Sequence, residues 1–508
     1  MNAAADSLRF GGARLEQSRR VVADATGRET VLRAKSYDVL ALLLDRPDTV
    51  VTKDELFEKV WNGAAVSEDT LVQCITDIRK AIGEKGHVAL KTITKVGYRL
   101  VPDAVPLVST AQVDPSLKIV HPRGIAVLPF SNISDDKAQD FLAIGLTEDV
   151  ITDLSSIPDL FVIARNSSYS FGDKDLDILG IARDLGVRYL VEGSVRKSAE
   201  RLRITVKLID AQTSGSQIWA ERYDRNYADV FDIQDDIAQQ VAKSIVGKLA
   251  SATTHPRQRP VNMEVFELSQ RARDMRTKSR AECKEAISIH NHAIALDPNF
   301  SRIRTQIAAA HTYNWIQWME PGDDDMVEAL KHAAKAIELD VRDPVARATH
   351  GFVLLHAKRW EKALAALDMA VAMNPNGAHA YALKAYLFAM SGDGNAGLDF
   401  MNHAMKLNPH PPNWYYFQLG LCYLISHQFA ECIELLRQPQ FARSPMRRTL
   451  IAALELDGQH AEAVKEAALY VTYDPTFRVK AWLDRLPYRD EEMKPFHLGA
   501  LVRAGIPE

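Results

Sequence analysis

Cysteine is scarce in this chain and never paired in sequence. Cys74, Cys283, Cys422 and Cys432 are all there is, with no C-x-x-C among them. Such spacing offers neither a zinc knuckle nor a disulfide framework, and it suits buried thiols in a reducing compartment. Long apolar runs are missing too. Nothing approaches the roughly 20 residues that a membrane span needs. The opening MNAAADSLRF has no basic stretch followed by an apolar one, so it does not read as a secretory leader. The expectation is a cytoplasmic protein without membrane contact. Net charge is also small, −4 over 508 residues. That excludes a chain coating nucleic acid along its whole length; any such contact must be local. No acidic cluster at a strand end awaits a phosphoryl group. No nucleophile stands with a base, and no ligand set suits a metal. The expectation is therefore no enzyme, no metal and no cofactor.

What is present begins near the amino terminus. Thr52 can N-cap a helix, with Glu55 completing a capping box. Leu56 and Val60 fall on one face of it, and Trp61, Asn62 and Gly63 end it. Ser67 is the next candidate cap, followed by Glu68 and Asp69. Leu71, Cys74, Ile75, Ile78 and Ile82 then recur at helical spacing as a buried stripe, and Gly83 stops the helix. The opposite face carries Thr70, Gln73, Thr76, Asp77 and Lys80, a mixture suited to base edges and phosphates. Residues 90–94 and 98–101 read as strands around Lys95, Val96 and Gly97, with Gly97 supplying turn flexibility and Lys95 and Arg99 near the tip. Two helices, a loop and a two-stranded wing make a winged helix-turn-helix, an α+β module that sets one helix into the major groove of double-stranded DNA. Residues 1–101 hold 16 Lys and Arg against 14 Asp and Glu. This weak field implies modest monomer affinity, raised by a homodimer or tandem sites.

These residues resemble the OmpR/PhoB/ToxR class of winged-helix regulators, through Val60-Trp61, the run from Ile78 to Gly83, and the wing Lys91-Thr92-Ile93 with Val96-Gly97-Tyr98-Arg99-Leu100. The resemblance implies an opening antiparallel sheet, which residues 8–10, 19–22 and 29–32 can supply. It also implies DNA-binding positions at Thr70, Gln73, Thr76, Asp77, Arg79, Lys80, Lys95 and Arg99. Asp77 stands where the class often has Arg, Thr94-Lys95 where it has Arg-Gly, and Ala34 where it has a hydroxyl cap. The winged helix followed by repeats is similar to HilA-type activators. That analogy implies contact with RNA polymerase through Asn62, Gly63, Ala64, Ala65 and Val66.

Residues 102–122 carry four prolines and read as a linker. From 123 to 250 the order is βαβαβββα, giving a mixed α/β sheet domain. Ala126-Val127-Leu128-Pro129-Phe130, residues 191–196 and Trp219-Ala220-Glu221-Arg222-Tyr223 resemble the TolB amino-terminal-like domain, a non-enzymatic binding module. A second polar linker spans 251–262. Residues 263–508 read as an all-α superhelix of five or six units. Asp340, Asn374 and Asn408 recur every 34 residues, the period of the tetratricopeptide repeat. In that repeat Gly351, Ala363, Leu367 and Ala370 take positions of close helix packing. The concave face of such a superhelix takes a protein or peptide ligand.

Other groups have plainer readings. Gly392, Gly394 and Gly397 spell G-x-G-x-x-G but follow no strand, so they read as a turn. Asp173, Asp175 and Asp177 lack the glycine of a calcium loop. His290 and His292 cannot share a helix face. Asp323, Asp324 and Asp325 read as a solvated loop, and Glu148 and Asp149 as surface charge. Trp315, Trp318, Trp414 and Tyr415 read as packing residues before groove residues. The leading reading is a transcriptional regulator, an activator by its resemblance, without a receiver domain. Two others stand beside it: a scaffold whose winged helix docks protein, and a nucleotide cyclase, since TolB-like and repeat segments accompany cyclase domains.

Overall fold

The computed structural model describes residues 7–100, 121–246, 258 and 260, and 263–508, less 11–12, 17–20, 24–27, 45–49, 62–67, 84–88, 94–96, 135, 137–138, 172–177, 199–200, 214, 274, 276–278, 319–323, 439–440, 442–445 and 490–491. The chain divides into two compact units, residues 1–112 with 434–447 and residues 113–433 with 448–508.

The first unit opens with an antiparallel sheet of β1 (Ser7–Phe10), β2 (Ala13–Glu16), β3 (Val21–Ala23) and β4 (Glu29–Val31) in sequential order. Three helices follow, α1 (Ala34–Leu44), α2 (Lys53–Trp61) and α3 (Glu68–Ile82). A second sheet has β7 (Gly97–Leu100) between β5 (Val50–Thr52) and β6 (Leu90–Ile93). Thr52 Oγ1 accepts from Glu55 N at 3.2 Å, the expected cap of α2. All five stripe residues of α3, from Leu71 to Ile82, are buried against Leu40, Leu43, Leu56 and Leu100. Each buried Leu or Ile is worth about 1.5–3 kcal/mol, far more than a solvated polar residue, so this stripe dictates which face of α3 looks outward. Gly97 differs from its expected role. It lies within β7, where an added Cβ would sit 2.0 Å from Val51 O. Close approach of β5, a strand not read from the sequence, demands the glycine.

The second unit begins with β8 (His121–Val127), so His121 and Pro122 belong to a strand; residues 102–120 of the expected linker lie outside the described residues. There follow β9 (Ser131–Asn132), α4 (Asp140–Ser155), β10 (Phe161–Val162), α5 (Arg165–Tyr169), α6 (Ile178–Leu185), β11 (Val187–Ser198), β12 (Arg201–Asp210), β13 (Ser216–Asn226) and α7 (Val230–Val246). The sheet runs β10-β8-β11-β12-β13, its first three strands parallel and the β11–β12–β13 meander antiparallel. One face is covered by α4 and α7 over Leu202, Ile204, Val206 and Leu208. On the other face α6 packs on Ala126 and Leu190.

The rest is helical. The pairs are α8 (Met263–Arg273) with α9 (Arg280–Leu296), α10 (Ser301–Trp318) with α11 (Asp325–Leu339), α12 (Pro344–His356) with α13 (Trp360–Met373), and α14 (Ala378–Met390) with α15 (Gly394–Leu407). Then come α16 (Asn413–Ile425), α17 (Phe429–Leu436), α18 (Arg447–Leu456), α19 (His460–Tyr473), α20 (Val479–Leu483) and α21 (Met493–Arg503). This is a tetratricopeptide-like array. Asp297, Asp340, Asn374, Asn408 and Asp474 each close a helix as its C-cap. Gly351 packs where a Cβ would meet Leu367 at 2.7 Å, and Gly397 where it would meet Cys422 Sγ at 2.8 Å. Of the glycines in the apparent nucleotide motif, Gly392 makes the expected turn with a φ of 91°, and Gly394 and Gly397 allow close helix packing. Tyr415 is fully buried with its hydroxyl 3.0 Å from His379 Nδ1, and Trp414 packs edge-on against the same imidazole. Trp315 is half-buried, and the side chain of Trp318 lies outside the described residues. All four cysteines are buried and reduced.

The α/β domain and the helical array are joined by buried polar contacts. Strand β10 is the edge of the sheet, and its outward backbone groups meet the turns of the array. Val162 N donates to Asn376 Oδ1 at 3.2 Å and Ala164 N to Leu407 O at 2.8 Å. Asn374 Nδ2 donates to Ser155 Oγ at 3.0 Å, while Asn408 Oδ1 accepts from the backbone and hydroxyl of Ser167 at 3.2 and 2.7 Å. Glu148 and Asp149 are not surface charge. Glu148 is clamped by Arg165 and Arg273, and burial raises its pKa against the pull of both arginines. Asp149 accepts from Arg302 at 2.6 Å and from Gln234 at 3.0 Å. Helix periodicity showed these carboxylates on α4 but could not show a partner more than a hundred residues away. Asp325 is likewise buried, 2.6 Å from His311 Nδ1; Asp324 precedes it as the helix N-cap, and Asp323 lies outside the described residues.

Truncating Arg302 would leave Asp149 buried without its cation. Arg302→Ala is expected to cost about 3 kcal/mol in urea unfolding of the full chain. Asp149→Ala combined with it should recover part of that loss, because the charge that needed a partner is gone. A loss under about 0.5 kcal/mol, the level of an ordinary surface substitution, would show that the pair does not hold the domains.

Candidate nucleic-acid interface

Burial of the stripe leaves Thr70, Val72, Gln73 and Lys80 exposed along the outer face of α3, with Thr76 and Asp77 half-buried beside them. Val72 is 49% exposed. It is apolar and off the stripe, and an outward methyl pair is what a thymine methyl meets in a major groove.

The remaining polar residues divide by what they touch. Thr76 Oγ1 donates to Val72 O at 2.8 Å, which occupies its hydroxyl hydrogen. Asp77 accepts from Ser36 Oγ at 3.2 Å and from Gln73 Nε2 at 2.9 Å, with Arg33 Nε 3.8 Å away. It ties α3 to the first turn of α1 and steadies the Gln73 amide. Arg79 donates through Nε and Nη2 to Leu90 O at 3.0 and 2.7 Å, and through Nη2 to Thr92 Oγ1 at 2.8 Å. Burial lowers its pKa from the ordinary guanidinium value. This bidentate clamp fixes the wing against the recognition helix. Behind the helix, burial also raises the Cys74 thiol, keeping it an inert packing group.

In the wing, Arg99 of β7 is directly opposite Lys91 of β6. Lys91 is half-buried there. Lys35 donates to Val60 O and lies 5.9 Å from the Trp61 ring, a cation at the carboxyl end of α2. Lys95 and the loop Asn62, Gly63, Ala64, Ala65 and Val66 lie outside the described residues.

Asp77 and Arg79 therefore brace the helix that Thr70, Gln73 and Lys80 decorate. Arg79→Ala should strip the carbonyl of Leu90 of its donors and cost about 1–3 kcal/mol locally. Hydrogen exchange across 68–100 should rise, while Lys80→Ala leaves it unchanged. Equal protection in both variants would remove the bracing role.

Two stretches of the chain match known protein families. Residues 27–100 match the family described as transcriptional regulatory protein, C terminal, and residues 122–240 match the second domain of HilA/YgeH-like transcriptional regulators. The transcriptional regulator HilA of Salmonella typhimurium is 22% identical over 383 residues, 74% of this chain and 66% of its own. A cholera toxin homolog transcriptional activator of Vibrio parahaemolyticus is 31% identical over 107 residues, 20% of this chain and 37% of its own. A putative adenylate cyclase 3 of Rhizobium meliloti is 37% identical over 243 residues, 47% of this chain and 41% of its own. The chain thus spans less than two thirds of each of these relatives. Among the described residues no helix is long and apolar enough to cross a membrane. Residues 27–100 are an OmpR/ToxR-type winged-helix domain, carried by a chain that has the domain order of the HilA-like regulators and a tetratricopeptide-like helical region.

Proposed function

We propose that this chain is a non-enzymatic, sequence-specific DNA-binding transcriptional regulator, acting as an activator. The observation that carries the reading is the outer face of α3: Thr70, Val72, Gln73 and Lys80 stand clear of a fully buried stripe. Thr70 and Gln73 face base edges, with Thr76 beside them. Lys80, Arg99 and Lys95 meet phosphates. Asp77 and Arg79 set the angle of the helix and the wing. The small surplus of two cations over residues 1–101 calls for two copies on paired half-sites.

The α/β domain, whose sequence resembles TolB-type binding modules, and the helical array receive the controlling signal, with a protein or peptide as ligand of the array. Because the similarity to HilA runs through both, contact with RNA polymerase through Asn62, Gly63, Ala64, Ala65 and Val66 fits an activator. No receiver domain enters this scheme. The relative named for adenylate cyclase shares 41% of its own length with this chain. The remainder of that relative has room for a domain with its own chemistry, so its name does not make this chain a cyclase.

Selection of full-length protein on a random duplex library is the test. A recurrent site should emerge, and Gln73→Ala with Lys80→Ala should abolish the enrichment. Lys80→Ala alone should lower the salt slope of binding by about 1. If no sequence is enriched, the regulator reading falls and the scaffold reading takes its place.

A further inference from the structure

The β11–β12–β13 meander has one face in the core and one that no described helix covers where its cations stand. On the core side lie Leu202, Ile204, Val206 and Leu208. Alternation places Arg196, Arg203, Lys207 and Arg222 on the other side, all four exposed. Their arrangement is unusual for a merely solvated face. Arg196 is directly opposite Arg203, a like-charged cross-strand pair that destabilises an isolated sheet. Asp224 takes both Arg203 and Arg201, at 2.8 and 2.6 Å. One carboxylate is thereby shared between two guanidinium groups. Arg196, Lys207 and Arg222 have no carboxylate within 4.0 Å among the described residues. Glu192 stands opposite Lys207 in register without pairing with it. Three strands thus present cations to solvent over a patch roughly 13 Å long and 10 Å wide.

We propose that this sheet face is a second DNA contact, binding the phosphate backbone without reading sequence. The proposal rests on the DNA-binding reading above and adds the source of affinity that the amino-terminal domain lacks. A chain with net charge −4 that leaves three cations unpaired on one flat surface departs from its own average. Long-range attraction to a polyanion follows from that patch. An acidic protein is the rival occupant. Protein interfaces are anchored by buried aromatic or aliphatic side chains; between Arg196 and Arg222 the strands carry Ser194, Thr205 and Ala220 besides their charges, and the apolar groups Phe171, Ile178 and Ile181 lie to one side, in a cleft that Lys207 borders. Phosphate recognition needs no such anchor.

The test is fluorescence anisotropy of the full chain on a duplex of unrelated sequence, titrated against salt. The triple variant Arg196→Ala, Lys207→Ala, Arg222→Ala should flatten the plot of log affinity against log salt by about 2–3, one unit per lost phosphate contact. It should keep the sequence preference set by α3. The charge-preserving variant Arg196→Lys, Lys207→Arg, Arg222→Lys should restore the slope, which separates lost charge from lost fold. Gln73→Ala with Lys80→Ala should do the reverse of the triple variant, losing preference and keeping most salt-dependent binding. An unchanged slope in the triple variant overturns the proposal even where sequence selection stands. So does wild-type binding to polyglutamate that matches binding to duplex of equal charge. If wild type selects no sequence, yet the triple variant still flattens the slope, the sheet contact survives and the recognition-helix reading fails.

Discussion

An edge strand must be covered. Strand β10 is two residues long and ends the sheet of the α/β domain, with amide hydrogens pointing away from β8. Such an edge left bare is a template for another chain. Here the turns of the helical array do the covering, with a side-chain carboxamide for Val162 and a backbone carbonyl for Ala164. The two halves of the second unit are consequently one folding problem. The carboxylates of Glu148 and Asp149 tighten it further, because a buried charge tolerates no separation from its guanidinium.

The winged helix is arranged on the same logic at smaller scale. Its recognition helix is fixed by hydrophobic burial on one side and by two side chains at its margins. Asp77 binds it to α1, and Arg79 binds it to the wing. The exposed remainder is short: two amide or hydroxyl groups, one valine and one lysine.

Much of this was legible in the residues. The stripe from Leu71 to Ile82, the cap at Thr52 and the 34-residue spacing from Asp340 to Asn408 each depend on local periodicity, and each is found. What escaped depends on pairing at a distance. Gly97 read as a turn residue because β5 cannot be seen until it lies against β7. The ties of Asp77 and Arg79 do not show in the sequence because Ser36 and Leu90 are remote in it. Glu148 read as solvated because its arginines, at 165 and 273, announce nothing to it. Asp325 read as loop for the same reason. Burial of a charge is a tertiary event, and composition along a helix carries no record of it.

Repeat arrays commonly gain and lose units, since each contacts only its neighbours. This one has surrendered that freedom. Arg302, Asn376 and Asn408 grip α4, β10 and α5 at three separate turns of the array. Duplicating or deleting one helical pair between them would carry the later grips past their partners by a whole repeat. The sheet acts as a gauge for the length of the array, and the two have to be inherited together, as a lock is with its key.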